Sequence, residues 1–161
     1  MKKLILVRHA KSSWKFNVID HERPLTDRGV NDSKLIAIAL KRSQITPNLV
    51  LVSDATRTKQ TAALVLSSLN INQDHIVFNH DLYDFEGQLL TKVIKQCDSK
   101  INTLMVFCHN HALTHFVNTY GSLKIDHVPT CGVVTINFNI ERWSDINIGH
   151  TQSTLFPRDL K

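Results

Sequence analysis

The stretch LILVRHAKSSW, residues 4–14, places four apolar residues directly before an arginine and a histidine. The run from Leu4 to Val7 predicts a short strand buried on both faces, because it is apolar throughout and does not alternate. Arg8 and His9 are residue types that resist burial, yet they stand at the carboxyl end of this strand. Ligand sites in parallel sheets lie beyond these ends, so we expect both side chains to belong to such a site.

Two further apolar runs end in the same way. LVLVS (49–53) and TLMVFC (103–108) predict buried strands, and each is followed by polar residues. These residues are Asp54, Arg57 in the first turn of the next predicted helix, His109 and Asn110. Since parallel strands end at one edge of a sheet, two arginines and two histidines are expected to converge there.

Helical patterns separate the predicted strands, which favours an α/β fold. We predict a three-layer α/β/α sandwich with a mostly parallel central sheet, formed by one domain over residues 1–161. The predicted helices are 25–43, 55–69, 87–97 and 111–121, with Thr26 and Asp54 as N-caps of the first two. A short strand is predicted at 75–78, and segments 132–140 and 142–150 predict a final hairpin.

Composition narrows the class of ligand. The 161 residues carry a formal net charge of +5 and a pI near 9.2, which favours anionic ligands. The basic residues are scattered and only 7% of residues are aromatic, so nucleic acid is not expected as the partner. Three cysteines without a CxxC pair indicate a reducing, cytoplasmic setting. The first apolar run is too short for a signal peptide, and no segment reaches the ~20 apolar residues of a membrane span.

The converging residues suit a tetrahedral dianion such as a phosphoryl group. Arginine binds phosphate oxygens with two parallel hydrogen bonds, and helix N-termini add further donors. A neutral His9 could attack phosphorus and become phosphohistidine. Arg8 and Arg57 nearby would disfavour the protonated ring and hold the charge that develops on the phosphoryl oxygens.

Several segments of the sequence resemble those of a known family. LVRHAKSSW resembles the RHG-type motif of the histidine phosphatase superfamily, whose fold is also called phosphoglycerate mutase-like. Further segments resemble, in order, those of its small SixA-like branch: ERPLTDRG (22–29), VSDATRTKQTA (52–62), CHNHAL (108–113) and VPTCGVVTINF (128–138). The similarity spans nearly the whole chain.

The resemblance implies roles for the matching residues. His9 resembles the phosphorylated nucleophile, Arg8 and Arg57 resemble the phosphate-binding arginines, and His109 resembles the second histidine of the pocket. It further implies that the substrate is phosphohistidine on a phosphorelay protein and that neither a metal nor another cofactor is required.

The chain also departs from the family pattern. Ala10 stands where a glycine is usual, and Cys108 and His111 flank His109-Asn110 where glycine and proline are more usual. We expect the Cys108 side chain to narrow the pocket. There is no room for the large cap insertion that supplies a glutamate proton donor in larger relatives. The nearest candidate acids, none of which can be assigned from the sequence, are Asp81, Asp84 and Glu86.

The lack of an assigned acid has a chemical interpretation. An alkoxide leaving group needs a proton from a general acid, whereas an imidazole departs more easily, and transfer between two histidines conserves the bond type. The sequence therefore favours phosphohistidine over phosphate esters as the substrate.

Several site assignments stay open on the sequence. Ser12 either donates to phosphate or forms a turn, Arg23 either closes an ion pair or lines the pocket edge, and Asn110 is a further candidate substrate-binding residue. His109, His111 and His115, with Cys108, form a zinc-like pattern, but no carboxylate is placed nearby, and we predict no metal there.

Three other functions compete with the phosphohistidine phosphatase. One is a phosphatase of small phosphorylated metabolites, the second is a non-catalytic phosphoprotein-binding module, and the third is a basic nucleic-acid binder. We expect the partner to be a phosphorylated protein or a small phosphorylated substrate, with no nucleic acid or membrane involved, and the chain to be a monomer.

Overall fold

Six strands form one mixed sheet in the computed structural model, which describes residues 1–161. The strands are β1 (Lys2–Arg8), β2 (Leu49–Val52), β3 (Ile76–Phe78), β4 (Thr103–Cys108), β5 (Val133–Phe138) and β6 (His150–Leu155). Their order across the sheet is β3-β2-β4-β1-β5-β6. The first four strands in this order are parallel, whereas β5 and β6 are antiparallel to their neighbours. The prediction of a mostly parallel central sheet is therefore confirmed.

Four helices cover the two faces of the sheet. They are α1 (Asp27–Arg42), α2 (Thr56–Leu66), α3 (Gln88–Lys95) and α4 (Ala112–Tyr120). Apolar residues of α1 and α2 belong to one core cluster, and those of α3 and α4 belong to the other, which gives the three-layer α/β/α sandwich. Thr26 caps α1 as predicted, because its hydroxyl accepts a hydrogen bond from the Gly29 N–H at 3.0 Å. None of these helices combines the length and the apolar character needed to cross a membrane.

The central strands contribute to both cores. Leu4 and Leu6 of β1 lie in the core under α3 and α4, whereas Ile5 and Val7 lie in the core under α1 and α2. This alternation follows from the two-residue period of a strand, which points successive side chains to opposite faces. It explains why the run from Leu4 to Val7 in β1 is apolar throughout rather than alternating.

Two predictions at the element level are wrong. Asp54 does not cap α2: Ala55 is the N-cap and provides no side-chain bond, while the Asp54 carboxylate binds two histidines. The predicted hairpin strand 142–150 is largely a loop, and the partner of β5 is β6 instead. The Trp143 side chain anchors this loop, because it is buried and its indole N–H donates to the Ile101 carbonyl at 2.8 Å.

Candidate active site

The carboxyl ends of β1, β2 and β4 meet at one edge of the sheet, where they surround a cavity of about 250 Å³. Six of the seven predicted site residues line it: Arg8, His9, Ser12, Arg23, Arg57 and Asn110. His109 is fully buried behind the cavity, with its ring centroid 5.2 Å from that of His9. The structure therefore brings all seven residues to one place.

His9 is held as one tautomer with one free nitrogen. Its Nδ1 lies 2.8 Å from the Ala10 carbonyl oxygen. A carbonyl only accepts hydrogen bonds, so Nδ1 carries the ring proton and Nε2 carries the lone pair. Burial, together with the charges of Arg57, Arg8 and Arg23, lowers the pKa of His9 to about 3, although the hydrogen bond to Ala10 acts in the opposite direction. The ring is therefore neutral near pH 7, with Nε2 available as a nucleophile.

Arg57 is a buried cation in contact with this nitrogen. It lies in the first turn of α2, and its Nε–H donates to His9 Nε2 at 3.4 Å. Its two terminal nitrogens bind Asp20, with Nη1 donating to the backbone carbonyl at 2.7 Å and Nη2 to the carboxylate at 3.0 Å. The Tyr83 hydroxyl donates to the same carboxylate.

The Asp20 carboxylate is ionised in this arrangement. Although burial alone would raise its pKa, hydrogen bonds from Tyr83 and Arg57 lower the pKa of Asp20 to about 2. Asp20 lies in a 3₁₀ turn (Asp20–Glu22) that the sequence analysis did not assign to the site. It is the only acidic side chain that lines the cavity.

Arg8 and His109 each retain a buried polar atom without a protein partner. Arg8 Nη1 donates to the Val128 carbonyl at 2.9 Å, but its Nε is unpartnered. His109 Nε2 lies 2.8 Å from the Ser53 hydroxyl and 3.2 Å from that of Thr58, while its Nδ1 is unpartnered. Burial and the neighbouring His9 and Arg57 lower the pKa of His109. Unpartnered buried polar atoms are rare in proteins. The hydrogen-bond network of this site therefore has two open positions, one at Arg8 Nε and one at His109 Nδ1.

Arg23 satisfies both of the alternatives left open by the sequence. Its Nε–H donates to the Asp20 carboxylate at 3.1 Å, and it also lines the cavity. Its guanidinium lies 3.5 Å above the centre of the Trp14 ring, a cation–π contact that fixes the arginine side chain. Ser12 is buried at the cavity wall and pairs with Leu25 through an isolated backbone bridge.

Asn110 is oriented by α4, the helix that follows it. Its side-chain oxygen accepts hydrogen bonds from the backbone N–H and the hydroxyl of Thr114, at 3.1 and 2.6 Å. Its amide nitrogen lies 3.2 Å from His127 Nδ1. The amide is thus held in one orientation at the cavity wall.

The loop after His9 is tied to two helices. The Ala10 N–H donates to the Thr61 hydroxyl of α2 at 2.9 Å, and that hydroxyl donates to the Arg57 carbonyl at 2.7 Å. On the other side, the Lys11 carbonyl accepts the Thr26 N–H at 2.9 Å. These bonds fix the spacing between His9 and the helix that carries Arg57.

Two expectations about the neighbours of the site are wrong. Cys108 does not narrow the cavity, because its side chain is fully buried in the core under α3 and α4. None of the three candidate acids lines the cavity. Asp84 accepts the N–H groups of Gly87 and Leu90 at 3.0 Å, Asp81 lies exposed in a 3₁₀ turn, and Glu86 lines a separate cavity.

The zinc-like pattern in the segment 109–115 does not assemble. His109, His111 and His115 bring no group of metal-ligand atoms together, whereas His21, Asp54 and His80 do. Sequence reasoning also missed Asp20, Thr58 and Tyr83 as neighbours of the catalytic candidates. Thr58 could have been identified from the sequence, because it directly follows Arg57 in the first turn of α2.

Comparison with known proteins decides the family. The sequence model of the family described as histidine phosphatase superfamily (branch 1) matches residues 4–100, which include Arg8, His9 and Arg57. This chain belongs to the histidine phosphatase superfamily. Membership confirms the prediction of a phosphatase at the level of the family. His109 lies beyond the matched residues, so its place in the site rests on the geometry above.

Individual relatives and solved structures are similar to this histidine phosphatase over most of the chain. An uncharacterised chloroplastic protein of Arabidopsis thaliana is 29% identical over 153 residues, covering 89% of this chain and 70% of the relative. The fold is similar to that of the protein histidine phosphatase SixA complexed with tungstate, with a TM-score of 0.83 and 21% identity over 99% of both chains. A SixA-type protein from Nakamurella multipartitia gives a TM-score of 0.84 at 20% identity, over 97% of this chain and 96% of that one. The SixA-like fold predicted from the sequence is therefore confirmed.

Proposed function

We propose that this histidine phosphatase removes phosphate from phosphohistidine on a phosphorelay protein, with His9 as the nucleophile. The observation that carries the proposal is the neutral His9 ring, whose free Nε2 faces Arg57 at the wall of the cavity. His9 Nε2 attacks phosphorus, the P–N bond of the substrate breaks, and the substrate imidazole leaves with a proton from solvent. Water then attacks the phosphorylated His9 and releases inorganic phosphate.

The charges around His9 suit this transfer. Arg8 and Arg57 bring two guanidinium groups to the nucleophile, and Arg23 adds a third at the cavity wall. A phosphoryl group spreads negative charge over its oxygens in the transition state, and fixed donors in a site of low dielectric stabilise that charge without reorganising. The tungstate of the SixA complex is a tetrahedral oxyanion of the same kind.

The unpartnered atoms support a phosphoryl ligand. Arg8 Nε–H is a hydrogen-bond donor, and His109 Nδ1 becomes one when the hydroxyls of Ser53 and Thr58 donate to its Nε2. A bound phosphoryl group offers oxygens that accept from both. We therefore assign Arg8 and His109 to stabilising the group that His9 carries.

The single acid of the cavity bears on the choice of substrate. Because hydrogen bonds from Tyr83 and Arg57 hold its pKa at about 2, Asp20 is ionised at neutral pH and has no proton to give to an alkoxide. An imidazole leaves more easily than an alkoxide and can take its proton from water. This favours phosphohistidine over esters of small metabolites.

The test compares two substrates in the presence of EDTA. Phosphate release is measured from a phosphohistidine-bearing protein and from an unactivated sugar phosphate, whose alkoxide leaving group needs a proton. Both assays use the native chain, His9→Ala and the exposed-histidine control His75→Ala. We expect release from phosphohistidine to exceed release from the ester. His9→Ala should lower turnover by a factor on the order of a thousand or more, and His75→Ala should leave it unchanged.

Each other outcome rejects a distinct part of the proposal. Efficient ester hydrolysis with little release from phosphohistidine would place the chain among the phosphatases of small metabolites. Saturable phosphate binding without turnover would indicate a phosphoprotein-binding module. Turnover that survives in His9→Ala would reject His9 as the nucleophile.

A further inference from the structure

A cluster of two histidines and one aspartate lies beside the candidate active site and takes no part in the chemistry proposed there. His21 Nε2 lies 2.8 Å from Asp54 Oδ1, and His80 Nδ1 lies 3.0 Å from both carboxylate oxygens of Asp54. One potential ligand atom from each of the three residues falls within 4.8 Å of the other two. The three residues come from three separate segments of the chain.

We propose that His21, Asp54 and His80 bind a divalent zinc ion. Two imidazole nitrogens and one carboxylate oxygen are ligands that suit Zn²⁺, whereas Mg²⁺ and Ca²⁺ prefer sets of oxygens. Tetrahedral coordination with bonds of about 2.0–2.1 Å places ligand atoms roughly 3.3 Å apart. The two hydrogen-bond distances need to open by a few tenths of an ångström to reach this spacing, and the His21 and His80 nitrogens, which lie within 4.8 Å of each other, need to adjust to it.

The hydrogen bonds in the cluster suit metal binding. The Asp54 carboxylate faces a nitrogen of each imidazole ring, so its oxygens already point to the place that an ion shared with both rings would occupy. His21 Nδ1 and His80 Nε2 make no hydrogen bonds within the protein, so the ring proton can move to that nitrogen while the other nitrogen binds the ion. Zinc would take the place of the protons now shared in the two hydrogen bonds.

The positions of the ligands define the role of this ion. His21 follows Asp20 directly, Asp54 lies three residues before Arg57, and the turn that contains His80 leads into Tyr83. The Asp20, Arg57 and Tyr83 side chains are joined by hydrogen bonds at the cavity. A zinc ion held by the three neighbouring residues would clamp these segments to one another, so it is structural and leaves the phosphoryl transfer to His9.

The test measures zinc binding directly. Metal-free protein is titrated with ZnCl₂ by calorimetry, the bound metal is counted by elemental analysis after dialysis, and Tm is recorded with and without zinc. The variants are His80→Ala, whose side chain is 70% exposed in the native chain, His21→Ala, and the exposed-histidine control His75→Ala.

We expect one zinc ion per native chain and a rise in Tm on binding, since a ligand that binds only the folded state stabilises it. His80→Ala and His21→Ala should each weaken binding by at least about tenfold and lose the rise in Tm, whereas His75→Ala should behave as the native chain. The metal-free Tm of each variant shows that it has folded. Binding of less than one ion per chain, or binding that His80→Ala leaves unchanged, would overturn the site.

Discussion

At the scale of single residues, the two ring nitrogens of His9 have different roles: one holds the ring in place and the other is free to react. Nδ1 is fixed by the Ala10 carbonyl, and Nε2 is left with its lone pair towards Arg57. Burial and three nearby arginines hold the ring neutral. A histidine that is protonated at ordinary cellular pH could not act as a nucleophile, so the low pKa has a direct use in the proposed mechanism.

The low pKa of His9 also makes a prediction about stability. Its pKa is about 3 in the folded chain, against 6.5 for a histidine side chain in water. Between these values the unfolded state binds more protons, so the free energy of unfolding rises with pH. The contribution is complete above about pH 6.5 and is lost as the pH falls towards 3.

We test this with urea unfolding of the native chain and His9→Asn at pH 7.5 and pH 4.5. The native chain should lose on the order of 2 kcal/mol more than the variant over this interval. His75→Asn, which alters an exposed histidine, should match the native chain. An equal loss in all three proteins would show that His9 is not held neutral by the fold.

At the scale of elements, α1 and the loop after His9 pack backbone against backbone. A side-chain carbon added at Gly29 would collide with the Lys11 carbonyl oxygen, which also accepts hydrogen bonds from Thr26 at the helix N-cap. The glycine is needed here because of this close approach, not because of its backbone angles.

Gly29→Ala is therefore expected to lower the free energy of unfolding by about 1–3 kcal/mol, the usual cost of overpacking. The displaced Lys11 loop should also weaken the binding of inorganic phosphate. Urea unfolding and phosphate inhibition of turnover measure the two effects. Lys34→Ala, an exposed position on the same helix, is the matched control, and equal stability of the two variants would contradict the packing argument.

The elements also show where sequence patterns succeed and where they fail. The strands β1, β2 and β4 are buried on both faces, and their continuous apolar runs predicted them correctly. The edge strand β6 has the polar sequence HTQSTL, with three of its six residues exposed, so no apolar pattern marks it. Asp54 has the residue type of a helix cap, but its partners come from distant segments that a local pattern cannot reveal.

At the scale of the whole molecule, the two cores cannot separate without breaking the same strands. Neighbouring residues of β4 point into opposite cores, with Leu104 and Val106 on one side and Met105 and Phe107 on the other. The same holds for β1. Loss of either helical layer would expose apolar residues of both central strands.

We therefore predict that residues 1–161 unfold as one domain in a single cooperative transition. The measurement follows urea unfolding by far-ultraviolet circular dichroism and by fluorescence of the buried Trp143 in a Trp14→Phe variant, since Trp14 is exposed. The two probes should give the same midpoint. Separate midpoints would show that the two layers are independent.

The location of the site was predictable from the sequence, but its internal bonds were not. Parallel strands end at one edge, which correctly placed Arg8, Arg57 and His109 together. Asp20 and Tyr83 reach Arg57 from 3₁₀ turns and loops more than 25 residues away in sequence, and nothing in their local sequence marks them. Contacts of this kind depend on tertiary packing alone.

The Asp20–Arg57 pair has a consequence for the charge of acceptable ligands. In the resting cavity the arginine already holds a carboxylate, so an incoming anion competes with a group that belongs to the chain. A phosphodiester carries one negative charge, as the Asp20 carboxylate does, so Arg57 gains no electrostatic attraction when one replaces the other. A terminal phosphoryl group carries nearly two, and only such a ligand gains by the exchange. We therefore expect the Asp20 carboxylate to make the site select dianions over monoanions, whatever the rest of the substrate is.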